Sequence, residues 1–343
     1  MATLNLFGMT KEQLQQLCSD EGFPRYVAQQ ICDWLYTKHC SDIDQMTNLS
    51  LKNRARLKEI ATIEKWYPVN CQVSKDGTKK YLFPAEDGQY IETVFLPEND
   101  RATLCISCQK GCKMNCQFCV TGRQGFHGHL NTAQILNQIF SIPEFDRITN
   151  VVYMGMGEPM DNYDNVLAST QVLTADWGLS WSPKRITVSS VGIIPKLKQF
   201  IAESNCHLAV SLHNPFDEER LTIMPAQKAY PISQVIEMLK QYDWSGQRRI
   251  SFEYTMFRGL NDSIRHAAEL VRILKGLTCR VNLIRFHASP DAPFTTCSPE
   301  TMNRFRDYLN NHGQLCTIRA SRGEDIMAAC GLLAGKVGKH GDL

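Results

Sequence analysis

The sequence predicts an α/β fold in which a helical module precedes a barrel-like sheet. From Arg101 onward, strand-like stretches alternate with helical stretches, which is typical of βα units around a parallel sheet. About six such units suit an open or a closed barrel. Before them, residues 1–65 have helical periodicity and residues 69–97 alternate as strands do. The 343 residues suffice for one barrel-sized domain with an appendage, or for two domains.

The N-terminal module is predicted to contain three helices. Thr10 is placed to cap the first, with Gln13 three residues later. Pro24 opens the second, and Leu51–Ile60 form the third. The apolar face of the second helix comprises Val27, Ile31, Trp34 and Leu35. The module also carries the basic residues Lys38, His39, Lys52, Arg54, Arg56 and Lys58. Two interpretations stay open for them, a solvated helical face or a surface that grips RNA phosphates.

Residues 69–97 are predicted to form strands joined by turns. The stretches K-Y-L-F and Y-I-E-T-V-F-L-P are rich in β-branched and aromatic residues, and Asp76-Gly77 and Asp87-Gly88 are turn signals. Glu92 is a carboxylate in an otherwise apolar strand. By default it faces solvent, unless that face of the sheet looks into a cavity.

Seven strands and six helices are predicted in the remainder of the chain. The strands are R-A-T-L-C-I-S-C, N-V-V-Y-M-G-M-G, R-I-T-V-S-S, H-L-A-V-S-L-H, I-S-F-E-Y-T-M, R-V-N-L-I-R-F and L-C-T-I-R-A. The helices lie near 132–140, 163–175, 193–203, 231–242, 262–275 and 298–311. Polar motifs follow four of the strands, at 155–159, 189–190, 211–213 and 285–287. Active residues of barrel folds collect at these carboxyl ends of the strands.

Composition limits the class of protein. The net charge of +2 excludes a generally basic protein, so a nucleic acid would have to be met by a local basic face. No signal-peptide pattern and no membrane-length apolar run are apparent, which predicts a cytosolic protein without a membrane partner. Cysteines there stay reduced and tend to bind metal or do chemistry. Eight isolated ones are expected to be buried or half-buried fillers: Cys18, Cys32, Cys40, Cys71, Cys206, Cys279, Cys297 and Cys316.

The remaining cysteines concentrate between Cys105 and Cys119. Cys112, Cys116 and Cys119 have the spacing C-x3-C-x2-C. Three thiolates on a short loop can hold three corners of an iron–sulfur cube and leave the fourth iron open. The alternative is a zinc site in which Cys105 and Cys108 join Cys116 and Cys119. Its seven-residue intervening loop is short for a zinc ribbon, and it leaves Cys112 unexplained.

This spacing, with Phe118 before the last cysteine, resembles the signature of the radical S-adenosylmethionine (SAM) enzymes. The resemblance implies one [4Fe-4S] cluster per chain, with SAM on the open iron and a 5′-deoxyadenosyl radical formed from it. Gly157 and Glu158 resemble the turn that binds the amino group of SAM. Ribose and carboxylate partners are then expected at Ser189, Ser211, Leu212 and His213.

Four longer strings resemble the RlmN/Cfr family of RNA methyltransferases. They are R-A-T-L-C-I-S-C-Q-K-G-C, M-G-M-G-E-P-M, S-L-H-N-P and R-G-E-D-I-M-A-A-C-G-L-L-A-G. The resemblance covers nearly the whole chain, and the M-G-E-P form favours the RlmN branch. It implies a partial (β/α)6 TIM-like barrel as the radical SAM core. The implied division is an RNA-binding accessory domain at 1–65, a strand extension at 66–97, the core at 98–335 and a flexible tail at 336–343.

The resemblance also implies an activity. The family methylates carbon 2 of an adenosine in 23S rRNA, and RlmN also methylates an adenosine beside the tRNA anticodon. Carbon 2 lies between two ring nitrogens and is too electron-poor to attack the SAM methyl, so a one-electron route is required. The implied roles are methyl carrier for Cys330, resolving thiol for Cys105 through a transient disulfide, and proton acceptor for Glu92. Two SAM molecules serve each turnover.

One residue departs from the family pattern, and the resemblance also implies partners for the protein. His287 stands where the family has a SAM-contacting asparagine, and histidine can donate to a carboxylate in its place. The implied partners are 23S rRNA before ribosome assembly is complete, tRNA, and a flavodoxin or ferredoxin as electron donor, with the chain a monomer. Two alternatives stay open: a Cfr-type carbon-8 methyltransferase and a non-catalytic, zinc-bearing RNA-binding protein.

Overall fold

A computed structural model describes residues 4–85, 88–246, 248–288 and 292–335. The predicted tail at 336–343 and Asp87 of the second predicted turn lie outside these residues. None of the described helices is long and apolar enough to cross a membrane.

One large sheet organises the described part of the chain. The strands are β1 (Leu4–Asn5), β2 (Ala61–Thr62), β3 (Asn70–Val73), β4 (Lys79–Pro84), β5 (Tyr90–Pro97), β6 (Ala102–Cys105), β7 (Gln109–Gly111), β8 (Phe126–His129), β9 (Asn150–Tyr153), β10 (Ile186–Ser190), β11 (His207–Ser211), β12 (Ile250–Met256), β13 (Arg280–Arg285) and β14 (Cys316–Ile318). Ten of them form a sheet in the order β14-β13-β12-β11-β10-β9-β6-β5-β4-β3. From β6 to β14 all neighbours are parallel, and β3 to β5 extend the sheet as an antiparallel meander. The predicted α/β architecture, with a central sheet rich in parallel strands, is confirmed.

Helices lie before and between the strands of the large sheet. They are α1 (Lys11–Asp20), α2 (Tyr26–Cys32), α3 (Leu51–Ile60), α4 (Val120–Arg123), α5 (Thr132–Phe140), α6 (Tyr163–Thr174), α7 (Ile194–Glu203), α8 (Asp217–Ile223), α9 (Ile232–Leu239), α10 (Ile264–Leu274) and α11 (Pro299–Asn311). All six crossover helices predicted after residue 130 are present. The short α4 and α8 were not predicted, because helices of four and seven residues offer too few turns for a periodic pattern.

The N-terminal helical module packs against the barrel through α5. Thr10 caps α1 as predicted, since its hydroxyl accepts from the Gln13 N–H and its own N–H donates to the Gln13 side chain. The basic side chains of α3 are partly used within the module: Arg56 pairs with Glu21 at 2.7 Å, and Lys58 pairs with an acid of the preceding loop at 2.6 Å. These pairs favour a solvated helical face for this part of α3.

Two apolar clusters form the core. The larger fills the space between the sheet and its helices. The smaller lies at the carboxyl ends of the strands, and we call it the strand-end core. It consists of Cys116, Val191, Ile223, Met224, Phe257 and Phe286. One predicted cluster ligand, Cys116, is therefore part of a dry apolar layer.

Gly8 allows the N-terminal module to meet α5 closely. Its φ is +95°, and a Cβ there would lie 2.5 Å from the backbone nitrogen of Ala133. Gly22 is a matched control, with φ +66° and nothing within 4 Å of the added Cβ. Both substitutions by alanine share the cost of positive φ, but only Gly8→Ala meets backbone.

We therefore expect Gly8→Ala to lower the free energy of unfolding by about 1–3 kcal/mol more than Gly22→Ala does. Urea unfolding of the two variants beside the wild type measures this difference. Equal losses would contradict the close contact between the module and α5.

Candidate active site

A cavity of about 990 Å³ runs through the barrel and contains several of the predicted site residues. Cys105, Cys119 and Cys330 all line it, and so does His287. Cys105 and Cys330 are both free thiols. The cavity therefore brings together one predicted cluster ligand and the two predicted catalytic cysteines, which are far apart in the sequence.

The loop that holds the three spaced cysteines is shaped by the β7–β8 hairpin. Gly111 ends β7 with φ +72°, and a Cβ there would lie 1.9 Å from the Gly125 carbonyl oxygen. The Cys112 N–H donates to that same carbonyl at 2.8 Å. Only glycine at position 111 lets the two sides of the loop approach this closely.

The environment of the three cysteines fits an iron–sulfur cluster. Burial raises the pKa of the Cys112 thiol to about 12 and raises the pKa of Cys116 and Cys119 as well. Such thiols stay protonated until a metal displaces the protons. The Met114 N–H faces the Cys112 sulfur at 3.5 Å, a contact of the kind that tunes cluster thiolates.

A single metal ion is a poorer fit in this part of the molecule. Among the described residues, no three His, Cys, Asp or Glu side chains are grouped so that they could hold one ion. The ligands of a single zinc ion must converge on one point at about 2.3 Å each. The thiolates of a cube bind different irons and need not converge.

The glycine turn after β9 is held tightly against β10. Gly157 has φ +102°, and a Cβ there would lie 2.5 Å from the Gln109 side chain. The buried Glu158 carboxylate accepts from the Val191 N–H at 2.9 Å and from the Met160 N–H at 3.0 Å. The sequence predicted that Glu158 binds the amino group of SAM. In the structure, both of its carboxylate oxygens already accept hydrogen bonds from the protein backbone. Burial raises the pKa of Glu158 to about 7.

The remaining predicted SAM contacts lie at the ends of β10 and β11. Ser189 and Ser211 are half-buried, and Leu212 is fully buried. His213 has φ +56°, a strained conformation for histidine that is held by a bond from the Thr255 N–H to Nδ1 at 2.9 Å. Burial lowers the pKa of His213 to about 3, so the ring is neutral and its proton is on Nε2. His213 thus presents a fixed donor at a strand end.

Cys105 and Cys330 differ in exposure. Cys105 ends β6 and is buried, and burial followed by the nearby Cys330 raises its pKa to about 12. Cys330 is exposed.

Arg319 also lines the cavity, and its guanidinium lies 3.3 Å from Glu253 Oε2. Sequence reasoning missed both Arg319 and Glu253, although a carboxylate inside the apolar strand I-S-F-E-Y-T-M was the available signal.

The segment that carries Cys330 is fastened to the cysteine loop. The Val120 N–H donates to the Gly331 carbonyl at 2.8 Å, and the Thr121 hydroxyl donates to the Leu333 carbonyl at 2.6 Å. These bonds join the start of α4, directly after Cys119, to the residues directly after Cys330.

Glu92 is buried, with 3% of its surface exposed, so the default of a solvent-facing carboxylate was wrong. Residues 91–95 of β5 are all buried, and Lys80 and the C-terminal segment contact the Glu92 carboxylate. Lys80 lies 3.1 Å from Oε1, and the Ala334 N–H donates to Oε2 at 2.7 Å. Glu92 therefore holds the segment that follows Cys330.

His287 is buried at the edge of the cavity. Its Nε2 lies 3.1 Å from the Ser321 hydroxyl, and its Nδ1 lies 3.2 Å from a Glu324 oxygen. It therefore contacts the segment before Cys330.

The other cysteines lie mostly where fillers are expected. Cys108 is buried in the larger core, where its backbone carbonyl accepts from the Asn162 amide at 2.7 Å. Cys71 is exposed, so the expectation of a buried or half-buried filler was wrong there. It lies on β3, the edge strand of the sheet, where one side has no neighbouring strand among the described residues.

The fold and the cysteine loop are those of a radical SAM enzyme, and comparison with known families agrees. Residues 106–271 match the model of the radical SAM superfamily, and residues 4–63 match that of the ribosomal RNA large subunit methyltransferase N-terminal domain. A solved radical SAM methyltransferase from Sphaerobacter thermophilus has 39% sequence identity and a TM-score of 0.89, covering 97% of this chain and 100% of that one.

Closer relatives define the family. The probable dual-specificity RNA methyltransferase RlmN of Bacteroides fragilis is 55% identical over 96% of both chains. The dual-specificity RNA methyltransferase RlmN of Syntrophus aciditrophicus is 42% identical over 98% of both. The chain belongs to the RlmN family of dual-specificity RNA methyltransferases, within the radical SAM superfamily. The alternative of a non-catalytic zinc protein is thereby excluded.

The buried Glu158 predicts a pH dependence of stability. The pKa of Glu158 is raised from 4.5 to about 7. Its contribution to the free energy of unfolding is therefore fully present below pH 4.5 and is lost as the pH rises through 7. Relative to Glu158→Gln, the wild type should lose up to about 3 kcal/mol of unfolding free energy across this interval. Urea unfolding of both proteins from pH 4.5 to 7.5 measures the difference, and parallel curves would contradict it.

Proposed function

We propose that this protein methylates carbon 2 of an adenosine in 23S rRNA at the peptidyl-transferase centre, and of an adenosine beside the tRNA anticodon. The observation that carries the proposal is the shared cavity, because Cys105, Cys119 and Cys330 all line it. Relatives named dual-specificity RNA methyltransferase RlmN support both RNA classes and favour carbon 2 over carbon 8.

The proposed cofactors are one [4Fe-4S] cluster per chain, held by Cys112, Cys116 and Cys119, and two SAM molecules per turnover. When bound, they supply the methyl group and the one-electron chemistry that an electron-poor carbon requires. SAM would be held at the carboxyl ends of the strands by Gly157, Glu158, Ser189, Ser211, Leu212, His213 and His287. Since the Glu158 oxygens already accept backbone bonds, its contribution is assigned to positioning the turn.

The two catalytic cysteines suit different tasks in the proposed reaction. Cys330 is exposed and carries the methyl group as a thioether. Cys105 is buried and stays a thiol until it is needed, and Arg319 favours its thiolate. The Cys105 thiolate then attacks the Cys330 sulfur. The bond from that sulfur to the RNA-bound carbon breaks, and its electron pair stays with the carbon, which takes up a proton and becomes the methyl group. A Cys105–Cys330 disulfide remains for a reductant to open.

Glu92 is the proposed acceptor of the carbon-2 proton. Its carboxylate is bound to the backbone of Ala334, four residues after Cys330, which supports a place near the methyl carrier. Lys80, 3.1 Å from the carboxylate, is the cation that accompanies Glu92 in this buried place.

Substrate access requires that the adenosine leaves its stack, because carbon 2 is otherwise covered by neighbouring bases. The proposed division is an RNA-binding accessory domain at 1–65, a strand extension at 66–97 that leads into the core, and the core at 98–335. The rRNA would be met before ribosome assembly is complete, since the peptidyl-transferase centre is buried afterwards. A flavodoxin or ferredoxin is the proposed electron donor, and a cytoplasmic monomer is the proposed working form.

The function is tested by anaerobic purification followed by product mapping. A brown protein with about four irons and four sulfides per chain is expected. After incubation with SAM, a reductant and 23S rRNA or tRNA, nucleoside mass spectrometry should find 2-methyladenosine in both RNAs. Carbon-8 methylation, or a colourless protein with one zinc, would overturn the proposal.

The role of Cys105 is tested with a matched cysteine three residues away. Cys105→Ala should leave RNA covalently attached to Cys330, because nothing then releases the adduct. Cys108→Ala should turn over, since Cys108 packs in the apolar core. Denaturing gels of enzyme incubated with labelled RNA show the adduct. Multiple turnovers by Cys105→Ala would contradict the role.

A further inference from the structure

One buried cation lies outside the proposed reaction. Arg220, in α8, has 0% of its surface exposed. Its Nε donates to the Leu212 carbonyl at 2.9 Å, and Nη2 donates to the carbonyls of Ser211 at 2.8 Å and Val191 at 2.9 Å. Nη1 donates to the Gln227 side chain at 2.6 Å. All four acceptors are neutral.

This arrangement leaves the charge of Arg220 without a direct counter-ion. The ion pairs found across the described residues do not include Arg220. Asp217 is one hydrogen bond further away, where it accepts from the Gln227 amide at 2.7 Å. A buried charge without a partner costs several kcal/mol, so an anion is expected within its reach.

The neighbouring cysteine loop can supply that anion. Cys116 lies in the strand-end core beside Ile223, and the Ile223 carbonyl accepts from the Gln117 N–H at 2.9 Å. The helix that carries Arg220 is thus bonded to the residue after Cys116. Arg220 itself donates to the Val191 carbonyl at 2.9 Å, and Val191 packs with Cys116 in the strand-end core.

We infer that Arg220 is the fixed counter-charge of the cluster bound at Cys116, and that it also positions the SAM-binding strand ends. This inference rests on the proposed [4Fe-4S] cluster. A cluster that accepts one electron becomes more negative, so a permanent positive charge beside it favours the reduced form. The same guanidinium bonds Val191, whose N–H holds Glu158, and the Ser211–Leu212 strand end. Arg220 is therefore a positioning and electrostatic residue, without contact to substrate.

The test compares cluster potentials in the absence of SAM, by EPR-monitored redox titration of anaerobically purified protein. Arg220→Gln should lower the ratio of reduced to oxidised cluster at least tenfold at a given potential, which is about 59 mV for a one-electron couple. Arg220→Lys keeps the charge and should titrate close to the wild type. Arg248→Gln is the matched control, because Arg248 also donates to backbone carbonyls, at Ile201 and Phe200. It should titrate as the wild type does.

A charge swap covers the case in which Arg220→Gln fails to fold. The double variant Asp217→Asn/Gln227→Glu keeps Arg220 and the total charge, exchanges donor and acceptor in one hydrogen bond, and puts a carboxylate directly on the guanidinium. It should lower the potential as Arg220→Gln does. The inference is overturned if either Arg220→Gln or the double variant has the cluster potential of the wild type. It is also overturned if the potential of Arg220→Lys falls as far as that of Arg220→Gln. A wild type without iron overturns the proposed function instead.

Discussion

The active site depends on two hydrogen bonds that join the cysteine loop to the C-terminal segment. Thr121 and Leu333, which form one of them, are 212 residues apart in the chain. Each such bond contributes only about 1 kcal/mol, so packing must support the closure of so long a loop. Ala328 and Leu333 supply that packing, since both are buried in the larger core. Cys330 is thereby held in the cavity while its own side chain stays exposed.

Electrostatics divides the site into neutral acids and permanent cations. Burial keeps the thiols of Cys105 and Cys112 protonated in the folded protein. Arg319 and Arg220 do not lose their charge in the same way; Arg319 lies near Cys105 and Cys330, and Arg220 lies near Cys116. The two arginines therefore offset part of the cost that burial places on negative charge at Cys105 and Cys116. Such preorganisation is what a site that handles thiolates and electrons requires.

Much of the fold could be predicted because its signals are local. The capping pair Thr10 and Gln13 and the apolar periodicity of α5 are contained within a few residues, and the structure agrees with both. The strand pattern of β5 predicted a solvent-facing Glu92. It could not show that Lys80 and the segment after Cys330 contact this carboxylate, because those residues come from other parts of the chain. Arg220 was missed for the same reason, since α8 is short and its arginine looks like a surface charge in the sequence.

The sequence by itself determined the spacing of Cys112, Cys116 and Cys119, the glycines at tight turns, and the resemblance that comparison with relatives confirmed. These depend on covalent spacing and on backbone conformations that only certain residues adopt. The tertiary structure alone decided that Cys105 and Cys330 line one cavity and that the helix of Arg220 is bonded to the cysteine loop. The physical reason is that side chains remote in the chain meet only through the packing of the complete sheet, and no local pattern encodes that packing.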